Sequence, residues 1–364
     1  MKALAFLLPL CMAQLQATCR DRFLWPFAST SIWNTPIGSG AVYQPANIYS
    51  SGQLPEEIHN DQEFLVQASA SDPLTPWLDD SGNFPGGCSA TGPVKAHLPF
   101  PHSLVTDCTA NNNGAGLLLP DNRTLVQMQP LYRPTPGSPL IAWYHTGAPQ
   151  PFPWEVDILG DGALGAHGGS GLSSFGGAIR AGELLPSTGP IQHALKLELW
   201  AHRYYFWNWT SREYSSCFTW PAVGCDSYWN NEAIGYNGSL PYLKPGALLA
   251  VPPATAAALA PTLRTVAAQK LLRALTDYGG YLVDDTGSER GGGAFCAERA
   301  VNAEVLAQYG ASISIDNPLS LTQGKGLFLD LVAVFQALSV VVNNGPGSIG
   351  GGGTPRQPPP PPIC

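Results

Sequence analysis

The chain has 364 residues, a formal net charge of −8 and only 12% charged residues, and glycine and proline together make up about a fifth of it. So few charges exclude a disordered acidic tail and a coiled coil, both of which need many. The 18 basic residues argue against nucleic acid and an anionic membrane surface as partners, because phosphate groups are bound by basic faces. A hydrophobic fraction of 44% allows a large buried core.

The first 17 residues predict a secretory signal peptide. Lys2 precedes an apolar stretch over residues 3–12, which is too short to span a bilayer, and Ala13 and Ala17 offer cleavage sites. No later segment reaches the roughly 18 apolar residues of a transmembrane helix. We therefore expect an extracellular protein, secreted or associated with the cell wall, with no membrane span.

The cysteines and the sequons fit an oxidising compartment. Signal cleavage would remove Cys11 from the eight cysteines and leave an odd number, so one would stay unpaired. Cys364 ends a proline-rich tail and is the favoured candidate, free or in an intermolecular disulfide. Closeness in sequence predicts two disulfides: Cys88–Cys108 and Cys217–Cys225. Three sequons predict N-glycosylation: Asn122, Asn208 and Asn237.

The first two thirds of the chain predict short strands. Over residues 19–135, short apolar runs alternate with turn residues, which is typical of strands joined by loops. Residues 117–131 predict a hairpin with its turn at 121–122. Residues 193–207 alternate in polarity and predict one long, half-buried strand. Residues 280–285 predict a further strand. These patterns favour a mainly β fold built as an antiparallel β-sandwich or jelly roll.

Helices are predicted in the last third. Residues 266–278, 297–309 and 327–338 carry apolar stripes at helical spacing, and glycines follow the first two segments. We expect these helices to be appended to a single β-rich domain over residues 18–342. Residues 343–364 form a Gly-rich and then Pro-rich C-terminal tail.

A glycine-dense segment, residues 160–182, carries the first candidate site. Glycine lets the backbone approach a ligand and adopt positive φ. Asp157 and Asp161 are candidates for binding a divalent cation such as Ca²⁺ or for acting as an acid, and His167 is a candidate general base. The alternative is that the aspartates cap turns and His167 is a buried structural residue.

The predicted strands carry further candidates. Period two places Lys196, Glu198 and Trp200 on one face of the strand after His193. Glu198 could then act as acid or nucleophile and Trp200 could stack on a sugar, with Lys196 and Arg180 as substrate contacts. Asp285 at the end of the next strand is another catalytic candidate. The alternatives are a solvated sheet face and ordinary turn chemistry.

Six segments together carry a resemblance to a family. They are SIWNTPIG (31–38), LLPDNRTLVQMQPL (118–131), GDGALGAHGGSGLSSFGGAIRAGEL (160–184), PIQHALKLELWA (190–201), KLLRALTDYGGYLVDDTG (270–287) and SIGGGGTPR (348–356). With them the chain resembles a set of predicted secreted proteins of bacteria and eukaryotes, and the likeness extends over most of the chain after the signal. The resemblance implies a common fold with the His167 loop inside the main domain, and it assigns no activity.

Two functions remain open. The first is a secreted glycoprotein that acts on extracellular polysaccharide as a hydrolase or lyase. The second is a non-catalytic cell-wall, matrix or carbohydrate-binding glycoprotein. A protease is disfavoured because neither an HExxH zinc motif nor a serine-nucleophile motif occurs. An enzyme would bring its carboxylates together near aromatic residues, whereas a matrix protein would leave them dispersed and solvated.

Overall fold

The structure is a computed structural model that describes residues 19–52, 54–80, 87–89, 92–109, 112–145, 155–287, 292–310 and 326–364. The predicted signal peptide, residues 1–17, lies outside them. Within the described residues, the strands are β1 Tyr43–Pro45, β2 Ile58–Gln67, β3 Leu74–Asp79, β4 Val94–Pro99, β5 Gly114–Leu118, β6 Thr124–Tyr132, β7 Leu140–His145, β8 Glu155–Asp157, β9 Leu195–Leu199, β10 Leu248–Ala250, β11 Gly280–Asp285, β12 Gly293–Glu298 and β13 Ser339–Val341. The helices are α1 Ala201–Tyr204, α2 Pro253–Leu259, α3 Val266–Asp277, α4 Ala300–Tyr309 and α5 Leu327–Gln336, and short 3-10 turns lie at Gly87–Ser89, Tyr214–Ser216, Ala260–Thr262 and Ile349–Gly351.

The described strands form one large mixed sheet, which confirms the prediction of a mainly β fold. Its order is β1-β13-β10-β11-β9-β12-β2-β5-β6-β7-β3-β4, with β8 paired to β6. The expected all-antiparallel body is wrong, because β9 and β11, β2 and β12, β2 and β5, and β3 and β7 pair in parallel. Parallel neighbours need long crossover connections, which local turn signals do not reveal. A sandwich or jelly roll is not confirmed.

Helices cover one face of the central strands. The predicted C-terminal helices are present as α3, α4 and α5, and Gly310 ends α4 with a φ of 70°. Leu271 on α3 and Leu331 on α5 belong to the same buried cluster as Leu195, Leu197 and Leu199 of β9. None of the helices in the described part of the chain has the length and apolar character that a bilayer crossing needs.

The long strand predicted over residues 193–207 differs from the structure. β9 has only five residues, all of them buried, and α1 follows it. β9 lies between β11 and β12, and both of its faces are covered. The alternation was therefore real, but its polar face points into the interior of the protein rather than into solvent.

The two chain ends meet through a disulfide. Cys19 is bonded to Cys364, and the Arg20 N–H donates to the carbonyl of Pro362 at 2.9 Å. The prediction that Cys364 is the odd cysteine is therefore wrong, because the unpaired thiol among the described residues is the buried Cys296. The sequence separates Cys19 and Cys364 by 345 residues, so closeness along the chain could not pair them. Both predicted disulfides are present: Cys88–Cys108 and Cys217–Cys225.

Candidate functional site

The polar side chains of three adjacent central strands point to one face of the sheet. Asp61 and Glu63 are two residues apart on β2 and so share one face of it, and Lys196 and Glu198 share one face of β9, where they alternate with buried leucines that face the other way. Cys296 lies on β12 between these strands and pairs in register with Asp61. The strand order thus places these five side chains together although they are far apart in sequence.

The glycine-rich loop lies over this face and presents His167 to it. The His167 N–H donates to the Leu172 carbonyl, and the Gly171 N–H donates to the His167 carbonyl, both at 3.0 Å. Gly169 has a φ of 65°, and a Cβ there would lie 3.0 Å from Oδ1 of Asp226. Glycine is therefore needed at this turn for both backbone conformation and space.

One edge of the imidazole faces three carboxylates and a thiol. His167 Nε2 lies 3.7 Å from Glu63 Oε1, 3.9 Å from Asp61 Oδ2 and 4.0 Å from Glu198 Oε1. The Cys296 Sγ lies 3.7 Å from the same nitrogen, and its thiol donates to Glu198 Oε1 at 3.5 Å. We call Asp61, Glu63, His167, Glu198 and Cys296 the inner cluster.

The other edge of the imidazole faces Asp284 of β11. His167 Nδ1 lies 3.4 Å from Asp284 Oδ2. The Gln129 amide donates to that oxygen at 3.3 Å, and the Tyr205 hydroxyl donates to the Asp284 backbone carbonyl at 2.5 Å. The ring of His167 is therefore set between Asp284 on one side and the inner cluster on the other.

The centre continues towards solvent through two more aspartates. The Tyr236 hydroxyl donates to Asp226 Oδ2 at 2.5 Å, and the Tyr228 hydroxyl donates to Asp285 Oδ2 at 2.8 Å. The Ala201 N–H at the start of α1 donates to Asp285 Oδ1 at 2.7 Å. Asp285 and Tyr228 are partly exposed. We call Asp226, Tyr228, Asp284 and Asp285 the outer rim.

Lysine compensates only part of the negative charge. Lys196 Nζ forms an ion pair with Glu63 and also donates to the Ser173 carbonyl at 3.0 Å, with both charged side chains fully shielded from solvent. Within the described residues, no lysine or arginine forms an ion pair with Asp61 or Glu198. These two carboxyls are thus buried without a cationic side chain of their own.

Burial dominates the electrostatics of the centre. It raises the pKa of Asp61 and, together with repulsion from Asp61 and Asp284, raises the pKa of Glu198 well above its usual value. Burial also raises the pKa of Asp284 to about 7. It lowers the pKa of His167 to about 4, helped by the nearby charge of Lys196. The fold therefore favours a neutral imidazole among carboxyls that resist ionisation.

Several polar atoms of the centre have no hydrogen-bond partner among the described residues. Buried polar atoms are nearly always paired, so such a concentration calls for an explanation such as an ion or a functional role. The unpartnered atoms are Asp61 Oδ2, Glu63 Oε2, Gln129 Oε1, His167 Nδ1 and Glu198 Oε2.

Some of the residues predicted from sequence meet at this centre. His167 and Glu198 lie in the inner cluster, Lys196 pairs with Glu63, and Asp285 lies in the outer rim. The role predicted for Lys196 was substrate binding. Its full burial and its pairing with Glu63 instead give it a place in the interior of the centre.

The two aspartates predicted beside His167 do not join it. Asp157 is exposed, forms an ion pair with Arg123 at 2.7 Å, and accepts the Leu159 N–H at 2.9 Å. Asp161 is exposed in the glycine-rich segment. Neither contacts His167 within the part of the chain that the structure describes. Asp157 thus matches the turn-capping alternative, and proximity in sequence did not become proximity in space.

The remaining two predicted residues lie near the centre without touching its acidic groups. Arg180 is buried, and its guanidinium lies over the Phe175 ring at 4.4 Å and donates to the Phe175 carbonyl at 3.0 Å. Trp200 is half-buried, immediately before Ala201, and its ring lies 5.7 Å from that of His202. Arg180 is thus held by packing, whereas Trp200 lies beside the outer rim.

Sequence reasoning missed most residues of the inner cluster and the outer rim. Asp61 and Glu63 lie in a strand whose residues before Phe64 are mostly polar, so its sequence carried no clear sign of burial. Cys296 could have been chosen as a candidate from the sequence, because it is a cysteine within the short apolar run of β12. Asp284 was visible beside Asp285, but nothing local to the sequence connected it with His167.

Comparison with known proteins adds no assignment. No protein-family model, curated protein or solved structure matches the chain. The family resemblance therefore stays a prediction, and the geometry of the inner cluster and the outer rim is what bears on function.

Proposed function

We propose that the chain is a secreted enzyme that cleaves extracellular polysaccharide, as a hydrolase or a lyase, at the centre around His167. The observation that carries this proposal is the convergence of carboxyl groups from separate strands and loops on one imidazole. Asp61, Glu198, Asp284 and Asp285 lie on three different strands, yet all belong to one contiguous centre. A matrix protein has no need for this arrangement.

The convergence is costly for folding, and this cost supports a functional reading. Burying an ionisable carboxyl without a compensating partner is unfavourable, and grouping like charges adds repulsion. Apolar residues of similar size would pack in the same space without that cost. Groups of this kind are typical of sites that handle protons or cations.

The outer rim supports a sugar as the substrate. Asp285 and Tyr228 are the more exposed members of the centre, and the half-buried Trp200 lies next to the residue whose N–H holds Asp285. Aromatic rings offer flat apolar faces suited to sugar rings, and carboxylates beside them can accept sugar hydroxyls or transfer protons. In this proposal, substrate meets Asp285 first, with His167 and Glu198 behind it.

Secretion and glycosylation belong to the same proposal. The disulfides suit an oxidising compartment, and Asn122 and Asn237 are exposed, as glycan attachment requires. Asn208 is half-buried, and its side-chain oxygen accepts the Thr210 N–H at 3.0 Å. Intact-mass measurement of the secreted chain before and after enzymatic deglycosylation tests both points: we expect cleavage after Ala17 and a glycan mass at Asn122 or Asn237.

The activity test is incubation of the purified secreted chain with a panel of plant, algal and microbial polysaccharides. Products are followed by a reducing-end assay and by ultraviolet absorbance of unsaturated ends. Reducing ends alone indicate a hydrolase, and both signals indicate a lyase. No product from any substrate overturns the enzymatic proposal, and retained binding would then favour the carbohydrate-binding alternative.

Matched variants test the location of the site. We expect Asp285→Asn to lower the rate by about 100-fold or more, the usual size of an acid–base contribution. Asp157→Asn is the control, because it removes an aspartate whose carboxylate is exposed and paired with Arg123. Equal activity of Asp285→Asn and the wild type would show that the outer rim is not the site of reaction.

A further inference from the structure

We propose that Asp61, His167, Glu198 and Cys296 form a binding site for one divalent cation of the zinc class. Each residue offers one ligand atom, and the four atoms lie within 4.8 Å of one another. All four side chains are buried. The site goes beyond the proposed polysaccharide cleavage, since a cation here could be structural or catalytic.

The separations of the donor atoms are close to those of a tetrahedral site. Zinc bonds of about 2.0–2.1 Å to nitrogen or oxygen and about 2.3 Å to sulfur place neighbouring ligands about 3.3–3.6 Å apart. Here Cys296 Sγ lies 3.5 Å from Glu198 Oε1 and 3.7 Å from His167 Nε2, and that nitrogen lies 3.9 Å from Asp61 Oδ2. The other donor separations are wider, 4.0 Å between His167 Nε2 and Glu198 Oε1 and up to 4.8 Å within the set, so side-chain movements of about 1 Å would close the cluster around an ion.

The donors of the inner cluster would need a cation once they ionise. Lys196 is directed to Glu63 and to the Ser173 carbonyl, so it does not pair with Asp61 or Glu198. Among the described residues, the two carboxyls and the Cys296 thiol therefore have no cationic side chain of their own. Binding as metal ligands would release their protons, and a dication would compensate the negative charge that forms.

Unpartnered buried atoms point to the same place independently. With both carboxyls ionised, Asp61 Oδ2 and Glu198 Oε2 have no hydrogen-bond donor among the described residues, although Asp61 is only 4% exposed and Glu198 only 1%. Without a cation, only a proton shared between these two neighbouring carboxyls would pair them. An orphaned carboxylate oxygen in the interior loses the hydration it has in water. A cation bound by Asp61 Oδ2 would give that oxygen a partner and would replace the shared proton, and a rotation of the Glu198 carboxylate would bring its Oε2 to the same ion.

The surroundings of His167 fit a metal ligand. Asp284 lies 3.4 Å from Nδ1, so Nε2 is the nitrogen that faces the other donors. Ligating histidines commonly direct their second nitrogen to a carboxylate, which fixes the ring orientation and raises its basicity. Gln129 donates to the same oxygen of Asp284 at 3.3 Å and holds it in place. Asp284 is thus placed to act as a positioning residue, since a small rotation of the ring would let His167 Nδ1, which has no hydrogen-bond partner among the described residues, donate to its Oδ2.

The donor set selects the kind of cation. Ca²⁺ takes six to eight oxygen ligands, so a site with a thiol and an imidazole disfavours it. Zinc accepts sulfur, nitrogen and carboxylate ligands in tetrahedral sites, and Co²⁺ is a suitable spectroscopic probe for the same donors. This proposed zinc-class site is separate from the Ca²⁺ site predicted at Asp157 and Asp161, which stays a prediction.

The test uses the full secreted chain produced with zinc in the medium. Elemental analysis after dialysis is expected to find one equivalent of zinc per chain. After chelator stripping, Co²⁺ is expected to bind and give a near-ultraviolet thiolate-to-cobalt band. Failure of the wild type to take up either Zn²⁺ or Co²⁺ overturns the proposal, as does tight binding of Ca²⁺ alone.

Variants assign the ligands without relying on activity. Cys296→Ser is expected to abolish the thiolate band, and His167→Gln is expected to weaken Co²⁺ binding at least 10-fold. His193→Gln is the control, because this buried histidine contacts Glu183 and the Ala194 carbonyl instead. Circular dichroism confirms that each variant is folded. A band that persists in Cys296→Ser overturns the assignment.

The metal site and the proposed activity are tested separately. A chain that binds metal but cleaves no glycan contradicts only the proposed activity.

Discussion

Lys196 Nζ and Glu63 form an ion pair whose two side chains are both fully shielded from solvent. The pair joins β9 to β2 across β12, and the Ser173 carbonyl of the glycine-rich segment accepts a further bond from the lysine at 3.0 Å. The pair therefore ties the sheet to the loop that carries His167.

Lys196→Met leaves the buried Glu63 without its partner. We expect this change to lower the free energy of unfolding by about 3–5 kcal/mol, because an uncompensated buried charge remains. Urea denaturation of the secreted chain measures it. The double variant Lys196→Met/Glu63→Met removes both charges and should lose less stability than the single variant. A single variant as stable as the wild type would contradict the buried pair.

Gly169→Ala tests the turn that holds the loop against Asp226 and Asp284. A Cβ would lie 3.0 Å and 3.1 Å from their carboxylate oxygens, at a φ of 65°. We expect a loss of about 1–3 kcal/mol from the backbone strain, with an added cost from crowding. Gly52→Ala is the control, since its φ is 78° and no atom lies within 4 Å of the added carbon. Equal losses in the two urea titrations would mean that the contact with the carboxylates has no effect.

Glu183 gives a pH-dependent contribution to stability. Burial acts to raise the pKa of this carboxyl. His193 and the hydrogen bond from the Arg180 N–H lower the pKa by a larger amount, so the pKa in the folded state lies below that in the unfolded state. A carboxyl with a lowered pKa stabilises the fold at pH values above its unfolded-state pKa. This stabilisation is lost as the pH falls through its folded-state pKa.

Glu183→Gln removes this pH-dependent contribution. At pH 7 we expect it to lower the free energy of unfolding by about 1.5–3 kcal/mol, the range for hydrogen bonds to a charged group. Below about pH 4 the difference from the wild type should shrink. Urea titrations at several pH values measure it, with the exposed Glu232→Gln as control. A constant difference across the pH range would contradict the lowered pKa.

The disulfide between the chain ends predicts a monomer on non-reducing gels. Cys19→Ser frees Cys364, so we expect this variant to form disulfide-linked dimers and to lose about 2–5 kcal/mol of stability. Alkylation of the unfolded, unreduced wild-type chain should label Cys296, with mass spectrometry as the readout. Label on Cys364 would show that the ends are not joined.

Local elements of the fold were predictable because their signals lie within a few residues. The hairpin of β5 and β6 has its turn at residues 121–122, and β11 and α3 match the predicted segments within one residue. Side-chain period, turn residues and helix-ending glycines act over such distances. The disulfides over 20 and 8 residues were found for the same reason.

By itself, the sequence determined the mainly β class and the C-terminal helices, and it identified His167 and Glu198 as candidate site residues. Only the tertiary structure decided that Asp61 meets Cys296 in register, that Asp284 lies against His167, and that Asp157 does not. These relationships depend on which strands become neighbours across long stretches of chain. That choice is made by the burial of the whole core rather than by any local pattern, so the centre appears only when the sheet is assembled.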